Sequence, residues 1–234
     1  MNNFFEQLNR DLKRSNGALP RLIVDDQALE QNLQYVAKKL QYGSHLQPRI
    51  VVKSLACLAL LKTISLKLST QRFMVFHMPQ LLPILEHFSD VDVLFGKPMP
   101  VSTVQHFYAM NQNCRQADIQ WLIDSKARLL QYLEVAKQFS LTLKINIEID
   151  VGLHRGGVRS DFALIEILRL IEQNPEHLVF AGLMGYDAHV TKLPSVIKKI
   201  DVAYRESQDI YQNYKNIIQQ QFPHLWRADL CFNG

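Results

Sequence analysis

The sequence predicts an α/β fold, a (β/α)8 barrel of the TIM type, and three observations predict it. Short β-rich runs recur along the chain, segments with helical apolar spacing lie between them, and no G-x-G-x-x-G follows an early strand. Strand–helix alternation calls for a parallel sheet with helices outside it, and right-handed crossovers wind such a sheet into a closed barrel or an open doubly wound form. The missing glycine pattern weighs against the open form.

The β-rich runs are residues 22–24, 50–52, 73–76, 91–95, 119–123, 143–149, 178–183 and 228–232. Helical spacing is clear in Leu29, Leu33, Val36, Ala37 and Leu40, in Leu129, Leu130, Leu133, Val135 and Ala136, and in Ile165, Leu168 and Ile171. Ser125 is placed to cap the second of these helices and Asp161 the third. The run at 143–149 is the most informative. Its side chains alternate between an all-isoleucine face and a polar face of Lys144, Asn146, Glu148 and, just beyond, Asp150. Parallel strands are normally apolar on both faces. If the isoleucines meet the helices, the polar set points into the barrel. Buried charge is costly unless paired, so that face is either a paired ion network or the wall of a site.

Composition narrows the function classes. The chain has 234 residues, 47% hydrophobic and 21% charged, which is ordinary for a globular protein and ample for a core. A net charge of +4, spread without a basic block, gives no sign of nucleic-acid binding. Cys57, Cys114 and Cys231 are far apart and odd in number, so neither a disulfide framework nor a zinc knuckle is expected. Residues 1–14 are polar and hold no apolar run of signal-peptide length, and no stretch approaches a membrane span. The expectation is a cytoplasmic protein with no membrane and no nucleic-acid partner.

Barrel chemistry sits at the C-terminal ends of strands. Three such ends carry reactive residues: Lys53 after residues 50–52, the His154-Arg155 pair in a glycine-rich loop after 143–149, and Tyr186 with His189 after 178–183. A lysine at the mouth of an apolar strand suits imine chemistry, because partial burial favours the neutral amine that adds to an aldehyde. Taken singly each has an ordinary reading: Lys53 as a snorkelling lysine, His154 as a structural or solvated residue, Arg155 as a partner for a carboxylate. All three ends together, in this order, carry more weight.

The same residues carry a resemblance. Leu19-Pro20-Arg21-Leu22-Ile23-Val24-Asp25, with Ala28-Leu29 and Asn32, resembles the start of fold-type III pyridoxal-phosphate (PLP) enzymes. Pro48-Arg49-Ile50-Val51-Val52-Lys53 resembles the strand whose terminal lysine carries PLP. Ile149-Asp150-Val151-Gly152-Leu153-His154-Arg155-Gly156-Gly157-Val158 is similar to the Asp-x-Gly-x-x-Arg-x-Gly signature of alanine racemases and, with its histidine, to the D-threonine aldolase and D-serine dehydratase branch. Ala181-Gly182-Leu183-Met184-Gly185-Tyr186-Asp187-Ala188-His189 resembles a segment of that same branch.

The resemblance implies a PLP-binding barrel at residues 19–234 after an N-terminal extension at 1–18. Lys53 would hold PLP as a Schiff base and be the catalytic residue. Arg155 would meet the cofactor's polar edge or the substrate carboxylate, with His154 also at the substrate. Tyr186 or His189 would contact the ring, and Asn233-Gly234 would begin a phosphate-binding turn. The activity implied is a lyase of the D-threonine aldolase or D-serine dehydratase type. An amino-acid (alanine) racemase and a non-catalytic PLP-binding homeostasis protein are the alternatives. A homodimer and a small amino-acid substrate are implied as well. The sequence departs from the branch after the lysine, where Lys53-Ser54-Leu55-Ala56 replaces Lys-Thr-His-Lys. By the family pattern the run at 22–24 pairs with a C-terminal β domain. The last barrel strand and that β domain, with any divalent-metal ligands, are expected beyond Gly234.

Overall fold

The computed structural model describes residues 3–15, 22–41, 46–114, 116–190 and 199–234. The chain divides into two compact units, Met1–Leu46 and Gln47–Gly234. In the first, α1 spans Asn3–Arg14 and α2 spans Asp26–Gln41. Asp25 begins α2 by accepting the Ala28 N–H at 3.0 Å, satisfying one donor of the first turn. The expected strand at 22–24 is not one: these residues are exposed and irregular. A short apolar run becomes a strand only when a ladder partner takes its backbone groups, and the sheet offers none here. Leu19, Pro20 and Arg21 of the opening motif lie outside the described residues.

The second unit is the α/β body. Its strands are β1 (Ile50–Val51), β2 (Arg72–Val75), β3 (Asp92–Phe95), β4 (Asp118–Ile123), β5 (Leu143–Ile149), β6 (Leu178–Gly185) and β7 (Cys231–Asn233). All neighbours are parallel and the order is sequential, β1 to β7. Sequential parallel order with a helix between strands is the winding of a barrel. Among the described residues the sheet is a curled half-barrel of seven strands, in which β1 and β7 share no ladder. The expected eight strands are therefore seven among the described residues, the run at 22–24 being the one that drops out.

Helices α3 (Leu58–Lys67), α4 (Met78–His87), α5 (Val101–Met110), α6 (Lys126–Phe139), α7 (Asp161–Glu172) and α8 (Ile200–Gln221) complete the alternation. Between sheet and helices, Phe73, Val93, Trp121, Ile145, Ile147, Phe180 and Leu183 are fully buried. Leu129 and Leu133 of α6 and Leu164, Leu168 and Ile171 of α7 close over that core, as their spacing requires. Ser125 caps α6 as expected, its Oγ accepting the Arg128 N–H. The cap of α7 is Ser160, not Asp161: Ser160 Oγ accepts the Ala163 N–H, while Asp161 is already the first helical residue, where its charge favours the helix N-terminus.

The polar face of β5 divides in two. Low in the half-barrel, Asn146 Nδ2 donates to Gln120 Oε1 (3.0 Å) and Gln120 Nε2 to Asp92 Oδ1 (2.8 Å). Asp92 in turn takes two guanidinium nitrogens of Arg49 at 2.9 and 2.7 Å. Higher up, Glu148 and Asp150 bind the loop that follows the strand. The first half is a paired network and the second borders a cleft, so both readings of this face hold, at different heights.

Candidate active site

The cleft opens at the C-terminal ends of the strands. It encloses a cavity of about 160 Å³. Val51 and Lys53 line it from the β1 end, Met74 and Phe76 from β2, Gly96 after β3, Met184, Gly185 and Tyr186 from β6, Asn233 and Gly234 from β7, and Arg155 from the loop after β5.

Lys53 lies in a 3-10 turn, Val52–Ser54, that ends β1. Its residue is exposed, not partly buried as the sequence suggested. Its Nζ lies 4.6 Å from the centre of the Phe76 ring and 5.9 Å from that of Tyr186, so aromatic faces flank the amine. Gly96 makes room for Phe76: a Cβ there would stand 2.4 Å from the ring's Cζ.

Arg155 is held from two sides. Its NH2 meets Glu148 Oε1 at 3.1 Å, and its guanidinium carbon sits 4.4 Å from the centre of the Tyr186 ring. Burial pushes the Glu148 carboxyl above its ordinary range, and the Arg155 bond opposes that only in part. The loop that carries Arg155 folds back on β5. Val158 N–H donates to the Glu148 carbonyl (2.8 Å) and Asp150 N–H to the Val158 carbonyl (3.0 Å). Gly157 allows this: at φ +92, a Cβ would lie within 2.9 Å of β5 backbone atoms. Asp150 is the loop's anchor. Its Oδ1 accepts the N–H groups of Gly152 (3.1 Å) and His154 (2.9 Å), and its Oδ2 meets His154 Nδ1 at 2.8 Å and Arg159 Nε at 3.0 Å. Burial alone would raise the Asp150 carboxyl, but the bonds from His154 and Gly152 outweigh it and hold it below the ordinary range.

The structure thus brings together Lys53, Arg155, Tyr186, Asn233 and Gly234. It does not bring His154 to them. That side chain is largely exposed and lies with Asp150, Arg159, Asp161 and Asn213 in a separate concavity. The reason is local: His154 has φ +57, which turns it away from its neighbour Arg155. His189 does not line the cleft either. Its Nε2 approaches Gly152, where an added Cβ would lie 3.0 Å away, and its Nδ1 is buried without a hydrogen-bond partner. Phe76, Met74, Met184 and Gly96 are lining residues that sequence reasoning missed. The strand-end rule, applied to β2 and β3 as it was to β1, would have reached Phe76 and Gly96. Among the described residues, no group of three or more His, Cys, Asp or Glu side chains could hold a metal ion. No described helix is long and apolar enough to cross a membrane.

The profile of the alanine racemase N-terminal domain matches residues 24–223, most of the chain. The chain belongs to that family. The family is one of PLP-dependent, fold-type III proteins that act on small molecules. No curated protein sequence matches the chain. Solved structures do. D-threo-3-hydroxyaspartate dehydratase from Delftia sp. HT23 shares 16% identity, with 82% of this chain and 50% of that one covered and a TM-score of 0.68. Alanine racemase from Bacillus anthracis with bound L-Ala-P shares 16%, covering 87% and 50%, at 0.67. An ala racemase-like protein from Idiomarina loihiensis shares 20%, covering 89% and 52%, at 0.67. At these identities the likeness shows the fold. The chain spans about half the length of the structures it matches.

The cleft suits the family's cofactor. It is a largely apolar cleft with one primary amine at its mouth and aromatic faces beside that amine. The Arg155 guanidinium supplies the polar rim.

Proposed function

We propose that this chain is the cofactor-binding part of a PLP-dependent enzyme acting at Cα of an amino acid, and that the enzyme is a lyase of the D-threonine aldolase or D-serine dehydratase type, working as a homodimer. The observation that supports this is the convergence of Lys53, Arg155 and Tyr186 on one cleft at the strand ends. Tyr186, on the segment that resembles the lyase branch, is in that cleft, and this favours the lyase over a racemase.

When bound, PLP supplies an electron sink for the charge left at Cα when a bond there breaks. Lys53 Nζ would hold the cofactor and, once released from it, take or return a proton at Cα. The aromatic faces of Phe76 and Tyr186 flank the amine. Arg155 offers a planar fork for the substrate carboxylate or the cofactor's polar edge. Glu148 grips one end of the fork and Tyr186 supports its face, which fixes its plane.

The test uses the intact protein. Borohydride reduction in the presence of PLP should fix the cofactor to Lys53, as peptide mapping would show, and an adduct on another lysine, or none, overturns the assignment. A screen of D- and L-amino acids then separates the activities. Aldehyde or keto-acid release marks the lyase, inversion marks a racemase, and tight PLP binding without turnover of any amino acid marks a carrier.

A further inference from the structure

Arg49 and Val51 sit two residues apart at β1, so they share a face of the sheet. Val51 lines the cleft, and Arg49 lies below it with its side chain only 6% exposed. The guanidinium reaches across the half-barrel. Its NH1 donates to the carbonyls of Phe73 (3.2 Å) and Asp92 (2.9 Å), and both terminal nitrogens bind the Asp92 carboxylate. On the far side, Nε donates to Asn233 Oδ1 at 3.1 Å and NH2 to Cys231 Sγ at 3.1 Å. Asn233 Nδ2 donates to the same sulfur at 2.9 Å. Both polar ends of the Asn233 side chain are thereby engaged, leaving its backbone and Gly234 for the cleft. Behind them, the Tyr211 hydroxyl is shared between the carbonyls of Leu183 (2.8 Å) and Asn233 (3.0 Å).

We propose that Arg49 is a positioning residue for the cofactor: by holding Asn233, it sets the β7 side of the cleft against the β1 side that carries Lys53. The inference rests on the PLP reading above. Among the described residues β1 and β7 share no ladder, and the Arg49 side chain spans the two walls. Arg49 bonds β7 directly, and does so only four residues before Lys53. A lysine cannot replace it. An ammonium is a point charge with three donors and cannot grip a carboxylate in fork geometry while also reaching an amide and a sulfur.

The experiment measures PLP dissociation constants and melting temperatures for the intact wild type, Arg49→Lys, Asn233→Ala and the double variant. Trp121→Phe, which removes the buried Trp121–Tyr108 hydrogen bond away from the cleft, is the control for lost stability alone. Arg49→Lys and Asn233→Ala should each weaken PLP binding about tenfold, the effect of one well-placed hydrogen bond. The double variant should be no weaker than the worse single one. Unchanged affinity in Arg49→Lys, with a lowered melting temperature like that of Trp121→Phe, overturns the proposal and leaves Arg49 a residue of the fold. Additive losses overturn the route through Asn233. Should Arg49→Lys fail to fold, Asn233→Ala still decides, because unchanged affinity there is equally fatal. A wild type that takes up no PLP sinks the cofactor reading itself, and that result is visible in the wild-type arm alone.

Discussion

Two arginines at the half-barrel differ in nearly every respect that matters to their use. Arg49 is buried, and its fork is committed to carbonyls, a carboxylate, an amide and a sulfur from three other strands. Arg155 is 46% exposed and rests on one carboxylate and one ring. An arginine with every direction taken cannot receive a ligand, whereas one held by its edge and its face can. The same division separates the low network of Asp92, Gln120 and Asn146 from the cleft above it. The lower region spends most of its polar groups on one another, with Asn146 Oδ1 left over, and the upper one leaves Lys53 and the free edge of Arg155 facing the cleft.

Breaking the upper region at its centre should give the largest effect. Lys53→Ala should abolish retention of PLP through borohydride treatment and reduce turnover by at least about a thousandfold, as expected for loss of a nucleophile and base. Its melting temperature should barely move, because the side chain is exposed. A Lys53→Ala protein that still turns over at wild-type rate would remove Lys53 from the chemistry.

The lower region should respond in stability. Arg49→Met removes the bidentate partner of the Asp92 carboxylate, which keeps Gln120 and Arg72 nearby, and should cost about 1–3 kcal/mol in denaturant unfolding. Arg155→Met, by contrast, breaks a half-exposed pair and should cost under about 1 kcal/mol. Equal losses at the two sites would erase the contrast. In kinetics the order should reverse for the upper site: Arg155→Lys should lower turnover by about a hundredfold with little loss of stability, since charge alone does not restore the fork.

Two carboxylates sharpen the comparison through pH. Asp150, depressed by its bonds to His154 and Gly152, contributes stability that is fully present above the ordinary aspartate value and is lost as pH falls through its lower folded value. Asp150→Asn should cost about 1–3 kcal/mol at neutral pH, and the gap to wild type should close in acid melts. Glu148 has the opposite sign. Raised by burial, it loses stability as pH rises from the ordinary glutamate value through its folded value. Glu148→Gln should therefore melt at or slightly above the wild-type temperature at neutral pH, and a clear drop there would show that its bond to Arg155 outweighs the cost of burying the charge.

Much of this was legible in the sequence, for reasons that can be named. The period-two pattern of β5 and the strand-to-helix alternation gave seven of the eight expected strands, because parallel strands and their covering helices leave distinct apolar periods. Lys53, Arg155 and Tyr186 stood out because reactive residues at strand ends are unusual. Phe76, Met74 and Met184 did not, since an apolar wall of a cleft and a core residue look alike along the chain. His154 was placed with Arg155 by adjacency, and only a left-handed backbone angle reveals that the two diverge. The role of Arg49 depends on Asn233, which is 184 residues away, a juxtaposition no local pattern encodes.

One irregularity in β6 governs which of its side chains reach the cleft. Ile145 pairs with Phe180, but the next residue, Asn146, pairs with Gly182, so Ala181 is an extra residue in the ladder. Such an insertion inverts the alternation of everything downstream. Phe180 and Leu183, three apart, both belong to the layer beneath the helices, and Met184 and Tyr186 are thereby turned inward. The strand is in effect written in two phases, and the cleft is read only in the second. Were Ala181 itself paired opposite Asn146, the same sequence would put Met184 and Tyr186 on the wrong side of the sheet; deleting Ala181 would instead make the ladder regular and leave both facing the cleft.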